Sequence, residues 1–239
     1  MSDDTVRPGS GTARASTVVA GAVRALAGFG LLIGIPLLAA GRADWIPPWR
    51  LAALFAVIVG FNLAVLRRSN RSLIAKRLDL GGTPRRWDRN VMLVMTVAIV
   101  ATFVAAGLDA RLGWSRPLPG WAVGLGVGLL VVGDLVFLWA MASNPFFTRL
   151  VVVEPGRGHT VARGGPYRLV RHPGYVGWSL LWLAVPLVLG SAWALLPAAV
   201  CLGGIVVRTA LEDATLAAEL PGYREYAAQV RYRLLPGLW

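Results

Sequence analysis

Long runs of apolar residues, separated by short polar stretches, dominate the first part of the chain. Four such runs cover residues 17–40, 49–66, 91–108 and 121–141. Each run reaches or approaches the length of about 20 residues that a helix needs to cross the hydrocarbon core of a bilayer. The pattern therefore predicts a four-helix transmembrane region over residues 17–141.

A fifth apolar region, residues 175–207, is too long for one span and short for two. Pro186, Gly190 and Ser191 lie near its middle, where they favour a tight turn. We therefore predict a hairpin of two short helices within residues 174–208. The fold class is an all-α, polytopic membrane helical bundle of about six membrane helices, with five helices and a re-entrant hairpin as the alternative. Whether the hairpin crosses the whole bilayer is left open.

The composition agrees with a membrane protein. The chain is 56% hydrophobic and only 15% charged, whereas soluble domains carry about 25% charged residues. One cysteine and two histidines are present among 239 residues. We therefore expect neither a disulfide framework nor a metal centre built on histidine or cysteine.

The net charge of +12 is compatible with nucleic-acid binding or with basic cytoplasmic loops. The arginines lie between apolar runs rather than along one soluble face, so we expect no nucleic-acid partner. Six membrane helices would place the basic segment 67–89, the region after residue 141 and both termini on the cytoplasmic side. This agreement favours the six-helix arrangement and a multi-pass protein with a cytoplasmic site.

Two further regions complete the predicted organisation. Residues 1–16 are polar and are expected to form a disordered tail, and residues 142–239 form a C-terminal cytoplasm-facing region that ends in an interfacial tail helix. Within the fourth apolar run, Asp134 is an ionisable group at membrane depth. Such a group is either functional or a structural partner for a neighbouring helix, and we favour the structural role.

The candidate chemistry begins in residues 159–178. His172 and Pro173 lie where a glycine- and proline-rich loop becomes a helix, whose first backbone N–H groups can bind an anion. Tyr167, Tyr175 and Trp178 add aromatic faces that attract a cationic sulfonium or ammonium group. The block fits a zwitterionic cofactor, a lipid headgroup, or a simple interfacial loop.

Arg208 and Glu212 are four residues apart and share a helix face. They form either a simple ion pair or a site in which Glu212 binds a cofactor and Arg208 faces an acidic acceptor. Because the hairpin returns the chain to the same surface, we expect His172 and Glu212 to meet at its cytoplasmic mouth.

The combined pattern GPYRLVRHPGYVGW, EDATL and GYREYAAQVRYRLLP resembles the isoprenylcysteine carboxyl methyltransferase family, which is related to the phospholipid N-methyltransferases. The resemblance covers residues 144–239. It implies an all-helical membrane enzyme that transfers a methyl group from S-adenosyl-L-methionine to an acceptor arriving from the bilayer. One departure is Glu212–Asp213, where eukaryotic members commonly have two glutamates.

The resemblance also implies roles for individual residues. The implied cofactor contacts are His159, Thr160, Val161, Ala162, Tyr167, His172, Pro173, Gly174, Tyr175 and Glu212. Arg208 and Glu212 are the implied catalytic residues, and Arg208 and Trp178 are the expected acceptor contacts. No metal is expected.

The acceptor and the methylated atom are left open by the sequence. A lipophilic carboxylate is the first candidate, and a phospholipid amine, a quinone or a small thiol are the alternatives. A membrane reductase that uses NADPH is a second enzymatic hypothesis, which the short chain disfavours. A non-catalytic transporter or scaffold is a third, and it predicts charged residues deep in several spans.

Overall fold

The computed structural model describes residues 27–69, 85–148, 150–151, 153 and 158–239, and within these ranges every regular element is helical. A 3₁₀ turn at Gly165–Arg168 precedes the fifth helix. The α-helices are α1 (Ala27–Ala40), α2 (Ile46–Ser69), α3 (Arg86–Leu112), α4 (Gly120–Ala142), α5 (Pro173–Leu189), α6 (Leu195–Glu219) and α7 (Tyr223–Gln229).

Four of the described helices, α2, α3, α4 and α6, have the length and apolar composition needed to cross a bilayer. The apolar helices α1 and α5 are shorter. The described part of the chain is all-helical and the protein is an integral membrane protein, while the count of six membrane helices stays a prediction. The predicted tail at residues 1–16 and the start of the first apolar run lie outside the described residues. The predicted division at residue 141 falls at the end of α4.

Small residues bring α4 and α5 into close contact. A Cβ atom added to Gly133 of α4 would lie 2.8 Å from the carbonyl oxygen of Gly177 on α5, and one added to Gly126 would lie 2.7 Å from Leu187 Cβ. Such close approach replaces the hydrophobic effect as the source of association between helices in lipid. The fully buried Leu130, in the same helix, belongs to the core between these elements.

The second close pair joins α3 to α6. Met95 of α3 packs in one buried cluster with Cys201 and Ile205 of α6. A Cβ atom on Gly204 would meet the Met95 side chain, so the helix surfaces fit closely here. These contacts hold the first half of α3 beside the middle of α6.

The predicted break in the last apolar region is present. α5 ends at Leu189, and Gly190 adopts the left-handed conformation with φ +76° before α6 begins at Leu195. Glycine suits this position because it has no Cβ atom to strain. The prediction of a second short helix is wrong, because α6 continues to Glu219. Its polar residues beyond Arg208 find partners on neighbouring elements and do not interrupt the helix.

Asp134 has a structural partner at membrane depth. Its Oδ1 accepts a hydrogen bond of 2.9 Å from the Asn62 side-chain amide, which joins α4 to α2. A polar pair of this kind can hold two helices together in lipid. The structure thus gives Asp134 the helix-to-helix contact that the sequence favoured.

Candidate functional site

A cavity of about 810 Å³ opens between the ends of α3, α4, α5 and α6 and the tail helix α7. This volume lies within the range of roughly 300–1,000 Å³ found for ligand pockets. Most of the residues singled out from the sequence line it. They are His159, Thr160, Val161, Ala162, Tyr167, His172, Gly174, Tyr175, Trp178, Arg208 and Glu212. Pro173 is buried in the first turn of α5 and is not among the lining residues.

The loop before α5 owes its shape to glycine. Gly165 begins the 3₁₀ turn with φ +57°, and a Cβ atom at this position would collide with the Ser143 side chain. The turn places Tyr167 in the cavity wall, where its phenol oxygen accepts a hydrogen bond of 3.3 Å from the Asn144 amide. Gly174 also lines the cavity, and a Cβ atom there would come within 2.8 Å of the Phe147 ring. Gly165 is therefore favoured by its left-handed backbone, and a side chain at Gly174 would have to displace the Phe147 ring.

Three aromatic rings follow one another along the start of α5. The ring centroids of His172 and Tyr175 are 5.8 Å apart, and those of Tyr175 and Trp178 are 6.4 Å apart. Both pairs have nearly parallel planes, at 21° and 26°. The spacing of three residues places all three rings on one helix face. They form a continuous aromatic wall along the cavity.

Glu212 approaches this wall from α6. Its Oε2 accepts a hydrogen bond of 2.5 Å from the Tyr175 hydroxyl. Its Oε1 lies 4.0 Å from His172 Nδ1, which is beyond hydrogen-bond distance. The structure thus brings His172 and Glu212 together at the mouth of the hairpin, as the sequence predicted. Their roles in binding stay predictions.

Asp213, the next residue, performs a different task that the sequence did not reveal. It is buried and accepts hydrogen bonds from Arg171 Nε at 2.7 Å, from the Tyr223 hydroxyl at 2.7 Å and from Arg233 Nε at 2.9 Å. His172 Nε2 lies 3.2 Å from the same carboxylate. Asp213 therefore joins α6 to the loop before α5 and to the end of the chain.

The charges around Asp213 are mutually stabilised. Burial lowers the pKa of a guanidinium, but the Asp213 carboxylate reverses this effect and raises the pKa of Arg171 above its ordinary value. Burial, followed by the negative charge of Asp213, raises the pKa of the Tyr223 phenol well above its ordinary value. Tyr223 is accordingly a neutral hydrogen-bond donor at physiological pH.

The end of the chain holds the His172 loop in place. The backbone N–H groups of Arg171 and His172 donate to the carbonyl oxygens of Tyr232 and Arg233 at 2.9 and 3.0 Å. In the first turn of α5, the Tyr175 N–H donates to the His172 carbonyl at 3.0 Å. These three N–H groups are engaged within the protein, and the anion binding predicted for the start of this helix stays a prediction.

Arg208 has a partner far away in sequence. Its Nε donates to Asp88 Oδ1 at 2.8 Å, and its Nη2 lies 3.4 Å from Asp88 Oδ2. Its guanidinium carbon also lies 5.5 Å from the centroid of the Tyr175 ring. From the sequence, only Glu212, four residues away, could be named as an ion-pair partner of Arg208. A contact between residues 120 positions apart leaves no local sequence pattern.

The tail helix contributes more than the sequence predicted for it. Tyr223 and Tyr226 of α7 are buried and line the cavity, whereas the sequence predicted only an interfacial tail helix. The Tyr226 hydroxyl donates to the Tyr167 carbonyl at 2.7 Å. The rings of Phe146 and His159, which also line the cavity, stack with centroids 4.5 Å apart. The spacing of Tyr223 and Tyr226 is visible in the sequence, but the sequence does not show that both rings face the cavity.

Within the part of the chain that the structure describes, no group of three or more His, Cys, Asp or Glu side chains is placed to hold a metal ion. The expectation that the site uses no metal stays a prediction.

Comparison with known proteins gives one family. Residues 126–218 match the isoprenylcysteine carboxyl methyltransferase (ICMT) family, a range that begins in α4 and ends in the last turn of α6. No curated protein matches the chain. The match contains the His172 loop, Arg208 and Glu212. It confirms, over residues 126–218, the resemblance of this chain to the isoprenylcysteine carboxyl methyltransferase family, whose members are membrane methyltransferases.

Proposed function

We propose that this protein is an S-adenosyl-L-methionine-dependent integral membrane methyltransferase that acts on a lipophilic acceptor. The observation that carries the proposal is the juxtaposition of the His172 loop with Glu212 in one wall of the 810 Å³ cavity. The family match over residues 126–218 supports the same reaction class. We further propose that the cavity and both termini face the cytoplasm, in line with the distribution of arginines.

The chemistry of the cavity fits this cofactor. The aromatic wall of His172, Tyr175 and Trp178 offers π faces that attract a sulfonium cation. Glu212, whose side chain is 22% exposed, offers a carboxylate oxygen to an amino group or to ribose hydroxyls. The segment of residues 159–162 also lines the cavity, where Val161 and Ala162 pack against the cluster that contains Tyr223. A Gly174 Cβ atom would narrow the cavity near the Phe147 ring, so the glycine keeps room for a ligand.

When bound, S-adenosyl-L-methionine supplies an activated methyl group for an in-line displacement. The protein's residues then orient the two reactants and exclude water, and orientation alone contributes up to about 7–11 kcal/mol in favourable systems. An acceptor carboxylate is already ionised near pH 7 and needs no general base. An amine or phenol acceptor would need one, and His172 or Glu212 would hold the proton.

Arg208 is the residue that we assign to the acceptor. It lines the cavity and lies beside the Tyr175 ring. A planar guanidinium suits a carboxylate or phosphate group. Trp178 lies further along α5 and also lines the cavity, and we assign it to the apolar part of an acceptor that enters from the bilayer.

Calorimetry and labelling test the proposal. Purified protein in detergent should bind S-adenosyl-L-methionine and should transfer a radiolabelled methyl group to a component of a lipid extract. NADPH serves as the competing ligand in a thermal-shift assay, because a membrane reductase would be stabilised by it. Stabilisation by NADPH and not by S-adenosyl-L-methionine would refute the proposal in favour of a reductase. Binding of neither ligand would favour a transporter or scaffold.

A further inference from the structure

Asp88 is a fully buried carboxylate that lies outside the matched range of residues 126–218. It belongs to the first turn of α3, where a helix stabilises negative charge through its N-terminal dipole. Its relative exposure is 0%, and a charge buried to this degree is stable only with partners that compensate for lost hydration. The identity of those partners decides what Asp88 does.

The partners of Asp88 belong to the cavity. Arg208 of α6 binds it through Nε at 2.8 Å and approaches it through Nη2 at 3.4 Å, so the side edge of the guanidinium meets the carboxylate. The backbone N–H of Val151 lies 3.4 Å from Asp88 Oδ2. Val151 and Arg208 both line the cavity. One carboxylate therefore connects α3 to α6 and to the loop that follows α4.

This arrangement fixes the plane of the Arg208 guanidinium. A long arginine side chain has many rotamers, and two contacts from one carboxylate restrict it to a single orientation. The second restraint is the Tyr175 ring, whose centroid lies 5.5 Å from the guanidinium carbon. Because Tyr175 also donates to Glu212 at 2.5 Å, the position of Arg208 is set relative to the group assigned to the cofactor.

We propose that Asp88 is a positioning residue for methyl transfer, which holds Arg208 in the orientation that receives the acceptor. The inference rests on the proposed function. It makes α3 a contributor to the site, although this helix lies outside the range that matches the family. A displacement of about 1 Å in such a group can lower a rate about 100-fold. Loss of the Asp88 charge should therefore act on turnover and not on cofactor affinity.

The chain offers a matched control on the same helix. Asp109 is also buried, at 5% relative exposure, and accepts hydrogen bonds of 2.7 Å from the Ser115 hydroxyl and 2.6 Å from the Ser191 hydroxyl. It lies 21 residues after Asp88 in α3, roughly 30 Å along the helix axis. An aspartate-to-asparagine change at Asp109 removes a buried charge of the same helix far from the cavity.

The experiment compares the full-length Asp88→Asn and Asp109→Asn variants with the wild-type protein. S-adenosyl-L-methionine affinity is measured by calorimetry, the melting temperature by a thermal shift, and kcat by methyl labelling of the lipid extract. We expect Asp88→Asn to lower kcat about 100-fold while the cofactor Kd stays within about twofold. Asp109→Asn should lower the melting temperature and leave kcat unchanged below it. Normal turnover of Asp88→Asn, or an equal loss of kcat in both variants, would overturn the inference.

Two additions keep the test decisive. If Asp88→Asn does not fold, Asp88→Glu keeps the charge but moves the carboxylate by one methylene. The kcat of this variant should still fall, and a wild-type kcat would contradict the positioning role.

Modification of Arg208 by phenylglyoxal, followed by mass spectrometry, tests the same role without an acceptor. Arg208 should react faster in Asp88→Asn than in the wild type, and equal rates would refute the role of Asp88. A wild-type protein that binds no S-adenosyl-L-methionine would instead refute the proposed function.

Discussion

Replacement of Glu212 by glutamine is the most direct perturbation of the proposed cofactor site. The two oxygens of Glu212 have different surroundings: Oε2 accepts from the Tyr175 hydroxyl at 2.5 Å, whereas Oε1 lies 4.0 Å from His172 Nδ1. Glutamine keeps an acceptor for Tyr175 and nearly the same volume. The substitution therefore removes the negative charge while it leaves the aromatic wall and the fold in place.

The expected magnitude follows from one charge-assisted interaction. A hydrogen bond to a charged group contributes about 1.5–3 kcal/mol. Since 1.4 kcal/mol corresponds to a tenfold change in affinity, the cofactor Kd should rise about 10- to 100-fold. The full truncation Glu212→Ala, which also leaves the Tyr175 hydroxyl without this acceptor, should abolish measurable binding. The melting temperature without cofactor should change little in the glutamine variant.

Calorimetric titration with S-adenosyl-L-methionine measures this effect, and Glu219 supplies the control. Glu219 ends the same helix and pairs with Arg85 at 2.5 Å, where both side chains are more than one-third exposed. Surface pairs of this kind contribute about 0–1 kcal/mol, so Glu219→Gln should bind the cofactor as the wild type does. A cofactor Kd in Glu212→Gln equal to that of the Glu219→Gln variant would refute the assignment of Glu212.

Three further predictions address the network, the packing and the acceptor. Asp213→Asn should lower the melting temperature in detergent strongly, because loss of one partner from a buried ion pair such as that with Arg171 costs about 3–5 kcal/mol; an unchanged melting temperature would contradict this account. Gly133→Ala should destabilise the protein by about 1–3 kcal/mol through overpacking against α5, whereas Gly128→Ala on the same helix meets nothing within 4 Å and should be tolerated. Arg208→Lys should lower kcat more than it lowers cofactor affinity, because lysine lacks the planar fork; equal losses would argue against an acceptor role.

The helices of the bundle were largely predictable, because a helix that contacts lipid requires a long run of apolar residues. Runs of apolar residues gave α2, α3 and α4, with ends shifted by a few residues, and Gly190 marked the turn between α5 and α6. The end of α6 was not predictable from hydropathy. Its last turns contain Glu212 and Asp213, and the helix accommodates Asp213 because the carboxylate binds Arg171 and Tyr223 of other elements. Hydropathy reports contact with lipid and carries no information on such pairs.

The cavity was predictable in part. Motif spacing identified most of its lining residues, since the His172 loop and the Glu212 turn are short local patterns. The partner of Arg208 was missed, because Asp88 lies in the first turn of a helix 120 residues earlier and its neighbours there are arginines. Asp88 looked like one more polar residue of a basic loop. Only tertiary packing of α3 against α6 shows that its carboxylate is directed into the protein.

Glu212 and Asp213 are adjacent carboxylates of α6 that have different partners. Successive residues of an α-helix point about 100° apart, so adjacent carboxylates on α6 necessarily face different surroundings. Glu212 faces the aromatic wall of the cavity, and Asp213 faces Arg171, Arg233 and Tyr223. A shorter aspartate suits the second position because its partners converge on it at hydrogen-bond distance, where a longer side chain would displace them. The aspartate is therefore the residue that joins α6 to the neighbouring elements, while the glutamate is the residue that we assign to the cofactor.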